Sequence, residues 1–382
     1  MHYFDNAATT FPKPESVYKT MDSFYRTNGV NVGRGIFREA SIANNMMNET
    51  RKLVLNLLHA TSDFSCVFTA SATEAINVVL QGFAWKKGMT VYISPFEHNA
   101  VLRTLSYLEK VYGIIVKEIT PGKDFNYDLD ETKKVFEQQK PDVIVMSHAS
   151  NSFGYINPIK EIFNIAKSFG AITVCDMAQT VGLIDTDIVQ SRIDYAVFAG
   201  HKTLYGPLGI GGFVTNRKCA LKPLIYGGTG IDSKNPEMPE EMPTKYEAGS
   251  PNIYAIAGLN AALKWIEKIG IDNVFNQEKK NTERLLEILG KHKNIQIVRC
   301  ADENKNIGVV SCVFEGYSSD NIGQVLSEQD IATRTGLHCS PRSHAFMNTA
   351  PNGTVRFAVS YFTNDEDFLS LEQALNYIEV EG

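Results

Sequence analysis

The sequence lacks the features that mark membrane, secreted and zinc-binding proteins. Its six cysteines are scattered, with no Cys-x-x-Cys pair and no cluster of Cys and His at zinc spacing. No apolar run approaches the roughly 18 residues needed to span a bilayer, and the N-terminus shows no basic segment followed by an apolar one. These absences argue against a zinc site, a membrane partner and a secretory signal, and they predict a cytoplasmic protein with free thiols.

An excess of positive charge is missing as well. Lys and Arg number 37 against 43 Asp and Glu, and the net charge of −6 argues against a nucleic acid as partner. A nicotinamide-binding Gly-x-Gly-x-x-Gly turn is also missing, because the nearest candidate, residues 206–212, has a different spacing and precedes an apolar, strand-like run. The 382 residues, 43% hydrophobic and 21% charged, have an ordinary globular composition and suffice for one large and one small domain.

Apolar runs alternate with helical patterns along most of the chain. The pattern predicts strands over residues 66–69, 90–94, 114–119, 143–147, 172–175 and 195–199, with helices between them. A helix capped by Ser41 is predicted to run to about residue 59, residues 227–245 are predicted to form a long loop, and a second α/β stretch follows. The alternation predicts a doubly wound α/β fold with a mostly parallel sheet, whose ligands collect beyond the carboxyl ends of the strands.

Two predicted strands end in groups of opposite charge. Strand 195–199 leads to Lys202, where burial would lower the lysine pKa and make a neutral amine available for imine formation. Strand 172–175 ends in Asp176, and a carboxylate in that place needs a cationic or hydrogen-bonding partner. Pyridoxal phosphate (PLP) uses such a pair, a lysine for its aldehyde and a carboxylate beside its ring nitrogen. Taken singly, Lys202 is also what a lysine reaching water would look like, and Asp176 is also compatible with a helix N-cap.

A phosphate site is predicted where a helix follows strand 66–69. The residues Ser71 to Glu74 match a capping box, and a helix N-terminus in that position attracts anions through free N–H groups and the helix dipole. Ala72 and Thr73 are the expected contacts, with Thr73 adding a hydroxyl. An ordinary capped helix is the alternative.

Three further residues are candidates for the chemistry of the site. His98 follows strand 90–94 and is either an active-site group or a polar loop residue. Arg356 lies in a strand-like run, where a guanidinium requires an anion, either from a ligand or from an internal salt bridge. Cys339 lies in a loop with two arginines and a histidine, surroundings that favour the reactive thiolate.

Eight short segments in this order resemble the class V aminotransferase family of fold-type I PLP enzymes, and within it the cysteine desulfurases and selenocysteine lyases. They are FDNAATT (4–10), ATEAIN (72–77), EHN (97–99), SNSFG (150–154), DMAQ (176–179), GHK (200–202), EAGSPN (247–252) and RTGLHC (334–339). The resemblance implies a large PLP-binding domain over residues 15–255. It also implies a smaller α/β domain over 256–382, joined by 1–14, that carries the Cys339 loop and Arg356.

The resemblance also implies a role for each site residue. Catalysis falls to Lys202, Cys339 and His98, and His98 stacks on the PLP ring. PLP is contacted by Ala72, Thr73, His98, Asn151, Asp176, Gln179, His201, Lys202 and Ser250. The substrate is contacted by Asn151, Arg334 and Arg356, with Arg356 on its α-carboxylate. Because Ser250 is supplied by the partner subunit in the family, a homodimer is expected.

The implied reaction removes sulfur from L-cysteine, which leaves L-alanine and a persulfide on Cys339 for a sulfur-acceptor protein, as in iron–sulfur cluster assembly. A selenocysteine lyase, or a class V aminotransferase or epimerase acting on another amino acid, remains an alternative. The short cysteine loop resembles the Suf-type branch. The sequence departs from the family pattern at Ala199, Asn99, Gly33 and Phe37, which leaves the substrate and the acceptor open.

Overall fold

The computed structural model describes residues 1–32, 35, 37–218, 221–230 and 234–381. The predicted departure at Gly33 therefore lies outside the described residues. The helices are α1 (Glu15–Asn28), α2 (Arg38–Leu57), α3 (Ala72–Gly82), α4 (Asn99–Tyr112), α5 (Leu129–Gln138), α6 (Ile159–Ser168), α7 (Ile253–Ile269), α8 (Ile271–Leu289), α9 (Ser319–Glu328), α10 (Pro341–Phe346) and α11 (Asp365–Glu381). The strands are β1 (His2–Tyr3), β2 (Phe64–Thr69), β3 (Thr90–Ile93), β4 (Ile115–Glu118), β5 (Val143–Ser147), β6 (Ile172–Asp176), β7 (Tyr195–Ala199), β8 (Gly211–Asn216), β9 (Ile295–Val298), β10 (Val309–Phe314), β11 (Ile331–Ala332), β12 (Arg334–Gly336) and β13 (Thr354–Ala358).

A seven-stranded sheet in the order β2-β8-β7-β6-β5-β3-β4 forms the centre of the larger part of the molecule. The strands β7, β6, β5, β3 and β4 pair in parallel, whereas β8 runs antiparallel to both its neighbours. Strands β5 and β7 are buried at every residue, because helices cover both faces of the sheet. The prediction of a mostly parallel α/β sheet is confirmed.

A second, antiparallel sheet in the order β12-β13-β10-β9 lies toward the C-terminus. Its apolar core also takes Phe4 from the N-terminal segment, where β1 pairs in parallel with β11. Helix α7 contributes Ile256 and Leu259 to the core of the large sheet. The division into domains at residue 255 stays a prediction.

The start of α2 differs from the prediction. Ser41 does not cap this helix, which begins at Arg38 after Phe37, and no side chain caps it. The N–H of Ser41 already donates to the Phe37 carbonyl oxygen at 3.2 Å, as a residue inside the first turn does. The prediction is wrong because a polar segment allows serine inside the first turn as well as at the boundary of the helix.

No helix within the described ranges is both long and apolar enough to cross a membrane. Among the same residues, no group of three or more His, Cys, Asp or Glu side chains is arranged to hold a metal ion.

Glu278 on α8 makes the stability depend on pH. Burial raises its pKa to about 7, against one opposing hydrogen bond from the Gly308 N–H at 2.9 Å. Between pH 4.5 and 7 the folded state therefore holds a proton that the unfolded state releases. The contribution of protonated Glu278 to the free energy of unfolding is fully present below pH 4.5 and is lost as the pH rises through 7. The loss amounts to about 3 kcal/mol.

We expect Glu278→Gln to reduce the fall in unfolding free energy between pH 5 and pH 7.5, because an amide has no proton to release. Urea unfolding at the two pH values measures the change. Glu283→Gln, at an exposed position on the same helix, is the matched control and should keep the wild-type slope. An unchanged slope in Glu278→Gln would contradict the expectation.

Candidate active site

One cavity collects nearly all the predicted cofactor contacts. It lies beyond the carboxyl ends of β5, β6 and β7, next to the first turn of α3 and the start of α4. The predicted residues that line it are Ala72, Thr73, His98, Asn151, Asp176, Gln179, His201 and Lys202. Ser71, Ser147 and Ala199 also line it. The structure thus brings together the groups that the strand-end rule placed at this edge of the sheet.

Lys202 and Asp176 enter this cavity from neighbouring parallel strands, β7 and β6. Burial lowers the pKa of Lys202, and the charges of Arg356 and Arg334 act in the same direction, while Asp176 opposes them. A lysine with a lowered pKa supplies the neutral amine that attack on an aldehyde requires. The Asp176 carboxylate is buried and accepts the Ala178 N–H at Oδ1 at 3.0 Å. It can therefore still accept a hydrogen bond from a ligand.

The N-terminus of α3 forms the anion-binding end of the cavity. Ser71 caps the helix as predicted, because its Oγ accepts the Glu74 N–H at 3.2 Å. The Glu74 carboxylate reaches back to the Ala70 N–H at 2.8 Å, one residue before the expected partner. Strand β8 approaches this turn so closely that a Cβ at Gly211 would lie 2.7 Å from the Ala72 nitrogen.

His201 supports the same assignment. Its Nδ1 is buried, and no hydrogen-bond partner for it exists within the part of the chain that the structure describes. Burial lowers the pKa of His201 to about 4, helped by the charges of Lys202 and Lys13, so the ring is neutral and able to donate one N–H. An unpartnered ring nitrogen beside a helix N-terminus fits a phosphate group.

His98 and Gln179 are held in place by backbone groups. His98 caps α4, since its Nδ1 accepts the Ala100 N–H at 3.0 Å, which leaves Nε2 for the proton. Burial lowers the pKa of His98 to about 4, and the charge of Lys202 is the second-largest cause of this lowering. The Gln179 amide donates to the Ala7 carbonyl oxygen at 2.8 Å. Both side chains line the cavity with a fixed orientation, and the neutral imidazole suits stacking on an aromatic ring.

Arg356 lies at the centre of β13 and is fully buried. Its guanidinium donates to Asp5 Oδ1 at 2.5 Å and to the Asn151 carbonyl oxygen at 2.9 Å. The internal salt bridge that the sequence left open is therefore present. Arg356 Nε is buried and unpartnered among the described residues, and its role toward a substrate carboxylate stays a prediction. Arg334 faces Arg356 across the β12–β13 pair.

Cys339 is a partly exposed, free thiol at the end of the β12–α10 loop. The Arg334 guanidinium donates to its Sγ at 3.2 Å. Both His338 and Cys339 have left-handed backbone angles, with φ of 47° and 59°, so a tight turn presents the thiol. The Asn151 amide donates to the His338 carbonyl oxygen at 2.7 Å and fixes this turn beside the cavity.

The remaining described cysteines differ from Cys339 in their surroundings. Cys66, Cys175, Cys300 and Cys312 are all buried. Burial raises the thiol pKa of Cys66, Cys175 and Cys312, which keeps these side chains protonated and unreactive. Among the residues that the structure describes, Cys339 is thus the thiol accessible to a substrate.

Ser250 is the predicted cofactor contact that the chain itself does not bring to the cavity. It is exposed and lines a groove with Pro251 and Asn252. Of the departures from the family pattern, Ala199 lines the cavity without offering a hydroxyl, and Phe37 is exposed. Asn99 begins α4, where its N–H donates to the Cys339 carbonyl oxygen at 2.7 Å.

Asp5, Lys13 and Glu97 have no role predicted from the sequence. Asp5 pairs with Arg356, and the Lys13 ammonium donates to the His201 carbonyl oxygen at 3.2 Å. Burial lowers the pKa of Lys13 to about 8. Asp5 and Glu97 lie in two of the segments that resemble the family, and this was the sequence signal that could have identified them. Their partners are distant in sequence, so the contacts themselves could not be predicted.

Breaking the Asp5–Arg356 pair should be costly, because it leaves a buried guanidinium without its anion. We expect Asp5→Ala to lower the free energy of unfolding by about 3 kcal/mol, measured by urea denaturation. Asp22→Ala, which removes the exposed partner of Arg26 at 2.8 Å, is the control and should change stability by less than about 1 kcal/mol. Equal effects of the two changes would contradict the expectation.

Comparison with known proteins agrees with the fold. Residues 2–371 match the family described as Aminotransferase class-V, and the chain belongs to this family. A probable cysteine desulfurase of Pyrococcus abyssi is 34% identical over 378 residues, which cover 96% of this chain and 91% of the relative.

Two solved structures are similar in fold. The apo structure of the cysteine desulfurase from Thermococcus onnurineus NA1 has a TM-score of 0.90 at 29% identity and covers 98% of this chain and 94% of its own. The cysteine desulfurase CsdA from Escherichia coli has a TM-score of 0.86 at 26% identity, with coverages of 99% and 94%.

The cofactor of this family is pyridoxal 5′-phosphate, and the cavity fits it. The helix N-terminus and the unpartnered His201 nitrogen suit the phosphate, the Lys202 amine suits the aldehyde, and Asp176 suits the ring nitrogen.

Proposed function

We propose that this chain is a PLP-dependent cysteine desulfurase, which converts L-cysteine to L-alanine and carries the sulfur as a persulfide on Cys339. The observation that supports the proposal is the accessible Cys339 thiol, whose sulfur lies 3.2 Å from the Arg334 guanidinium. Both Cys339 and Arg334 are close enough to the cavity to act electrostatically on Lys202. The relatives named as cysteine desulfurases support the same assignment.

Different side chains of this protein bind the substrate and move its protons. Arg356 and Arg334 provide positive charge for the substrate carboxylate, with the Asn151 amide beside them. PLP, held by Lys202, Asp176 and the N-terminus of α3, would supply the withdrawal of electrons from Cα. The Lys202 amine, which burial keeps accessible as a neutral base, takes the Cα proton. The neutral His98 imidazole lies at the same cavity and can donate a hydrogen bond from Nε2.

Sulfur transfer belongs to Cys339. Its thiolate attacks the substrate sulfur, so an S–S bond forms while the bond between the substrate Cβ and sulfur breaks. The electron pair of the broken bond stays with the substrate, whose Cβ takes up a proton. The Lys202 ammonium returns the proton to Cα, and the product leaves as alanine. Cys339 retains the persulfide, and an external thiol or an acceptor protein removes the sulfur.

A direct assay tests the proposal against its alternatives. We expect equal amounts of sulfide and alanine from L-cysteine in the presence of a thiol reductant, with L-selenocysteine run in parallel. A selenocysteine lyase would release selenide much faster than sulfide. An aminotransferase would convert an amino acid and a keto acid without releasing sulfur, and that result would reject the desulfurase assignment.

A homodimer is part of the proposal. Ser250 does not reach the cavity of its own chain and is exposed beside the edge-to-face ring pair Tyr25 and Tyr254, and Tyr226 is 71% exposed. Such apolar groups in the open are typical of a surface that a partner covers. Sedimentation of the holoenzyme should give twice the chain mass of 42.5 kDa, and a monomer would reject this part.

A further inference from the structure

Glu97 is a fully buried carboxylate for which the proposed chemistry has no direct use. It follows β3 and lies across from the end of β5. Its Oε1 accepts the Ser94 hydroxyl at 2.5 Å and the Ser147 N–H at 2.9 Å, and its Oε2 accepts the Ser147 hydroxyl at 2.9 Å. One side chain thus links the ends of two neighbouring parallel strands at the edge where the cavity begins.

The turn that Glu97 holds, residues 94–99, touches both reactive parts of the site. His98 belongs to it and lines the cavity. The Cys339 loop rests on its backbone through the Asn99 N–H, which donates to the Cys339 carbonyl oxygen at 2.7 Å. The hydroxyl oxygens of Ser340 and Ser343 lie 3.0 Å from the Glu97 carbonyl oxygen and 3.1 Å from the Pro95 carbonyl oxygen.

We propose that Glu97 is a positioning residue that fixes the 94–99 turn through Ser94 and Ser147, and thereby holds the Cys339 loop and His98 in register with each other. The inference rests on the proposed function for its effect on sulfur transfer, but not for its effect on the loop. Glu97 acts through the position of the turn, because the hydrogen bonds of its side chain go to Ser94 and Ser147 and not to Cys339 or Lys202.

Removing the Glu97 side chain would leave the buried Ser147 N–H and two buried hydroxyls without their acceptor. The turn would then relax, and the docking groups of the Cys339 loop would shift with it. A displacement of about 1 Å in a reacting group costs on the order of 100-fold in rate. The cofactor pocket should lose less, because its phosphate contacts on α3 lie elsewhere.

Glutamine offers a conservative replacement. Its carbonyl oxygen can accept from the Ser147 N–H and the Ser94 hydroxyl as Oε1 does, while its amide can donate to the Ser147 hydroxyl oxygen. Burial raises the pKa of Glu97 to about 7, and the charge of Asp176 adds to this effect. The neutral, protonated form that glutamine resembles is therefore already well populated near pH 7. Glu97→Gln should therefore preserve the positioning, whereas Glu97→Ala should not.

The test compares hydrogen exchange and turnover in the holoenzyme. In Glu97→Ala we expect exchange in the peptide covering residues 337–346 to accelerate at least about tenfold and kcat to fall about 30-fold. KM and the cofactor-to-protein ratio should stay near wild type. Glu97→Gln should stay within about threefold of wild type in kcat and exchange. Glu278→Ala, another buried glutamate, is the matched control and should leave exchange in this peptide unchanged.

Wild-type exchange of the 337–346 peptide in Glu97→Ala would overturn the proposal, as would a Glu97→Gln variant as impaired as Glu97→Ala. If Glu97→Ala does not fold, Ser94→Ala removes one bond of the same carboxylate and should accelerate exchange in the peptide about threefold, and wild-type exchange there would reject the role. Exchange does not depend on the substrate, so a wild-type enzyme without desulfurase activity would reject the proposed function alone.

Discussion

Lys202→Ala should lower the turnover of cysteine by at least about 10³-fold, because the change removes both the amine that binds the cofactor aldehyde and the base for the Cα proton. The partly buried amine has a lowered pKa and faces Asp176 across the cavity, which suits it to both tasks. Steady-state release of alanine measures the loss. Borohydride treatment followed by peptide mapping should attach the cofactor to residue 202 in the wild type and leave that residue unmodified in the variant.

Lys13→Ala is the matched control for Lys202. Lys13 is a second partly buried lysine beside His201, and its ammonium contacts only carbonyl and hydroxyl oxygens among the described residues. The control should retain borohydride attachment at residue 202. If Lys202→Ala kept more than about a tenth of wild-type turnover, Lys202 would not be the base, and the reading of this cavity would fail.

Cys339→Ala should reduce the release of sulfide and alanine from cysteine by at least about 100-fold, while cofactor content stays at the wild-type level. The reason is that the thiol is the acceptor of the substrate sulfur, and alanine offers no group that can take it. Cys339 is not one of the described residues that line the cofactor cavity. A sulfide assay with a thiol reductant, together with the visible absorbance of the cofactor, separates the two effects.

Two controls sharpen the Cys339 result. Cys66→Ala removes a thiol whose pKa burial raises, and it should keep desulfurase activity. Cys339→Ser keeps the size of the side chain but replaces the thiolate by a poor sulfur acceptor, so it should resemble Cys339→Ala. Full activity of either Cys339 variant would mean that the reductant takes sulfur directly, and the persulfide step would be withdrawn.

Much of the large sheet could be predicted because its strands are buried on both faces. Such strands appear in the sequence as uninterrupted apolar runs, as in residues 143–147 and 195–199, and their ends are marked by polar groups. The rule that ligands gather at the carboxyl ends of parallel strands then placed Asp176 and Lys202 at one cavity. The antiparallel insertion of β8 between β2 and β7 was not foreseen, since local patterns contain no information on pairing direction.

Contacts between distant segments escaped prediction for the same reason. Asp5 and Arg356 are 351 residues apart, and nothing near either residue identifies the other as its partner. The carboxylate of Glu97 similarly depends on Ser147 from a neighbouring strand. The wrong prediction of a cap at Ser41 shows that local patterns can also mislead. A serine is as acceptable inside a polar first turn of a helix as it is at the start of that turn.

The amino-acid sequence by itself determined the fold class and the capped N-terminus of α3, and it predicted the lysine, the acid and the thiol of the site. The fold class and the cap follow from apolar periodicity and capping residues. The three site residues follow from charges at strand ends, the surroundings of Cys339 and the resemblance to the family. Only the tertiary structure decided that Arg356 is paired with Asp5, that the Cys339 loop rests on the 94–99 turn, and that Ser250 stays outside the cavity of its own chain. Each of these depends on segments brought together by burial of the two sheets, a long-range outcome that no local pattern records.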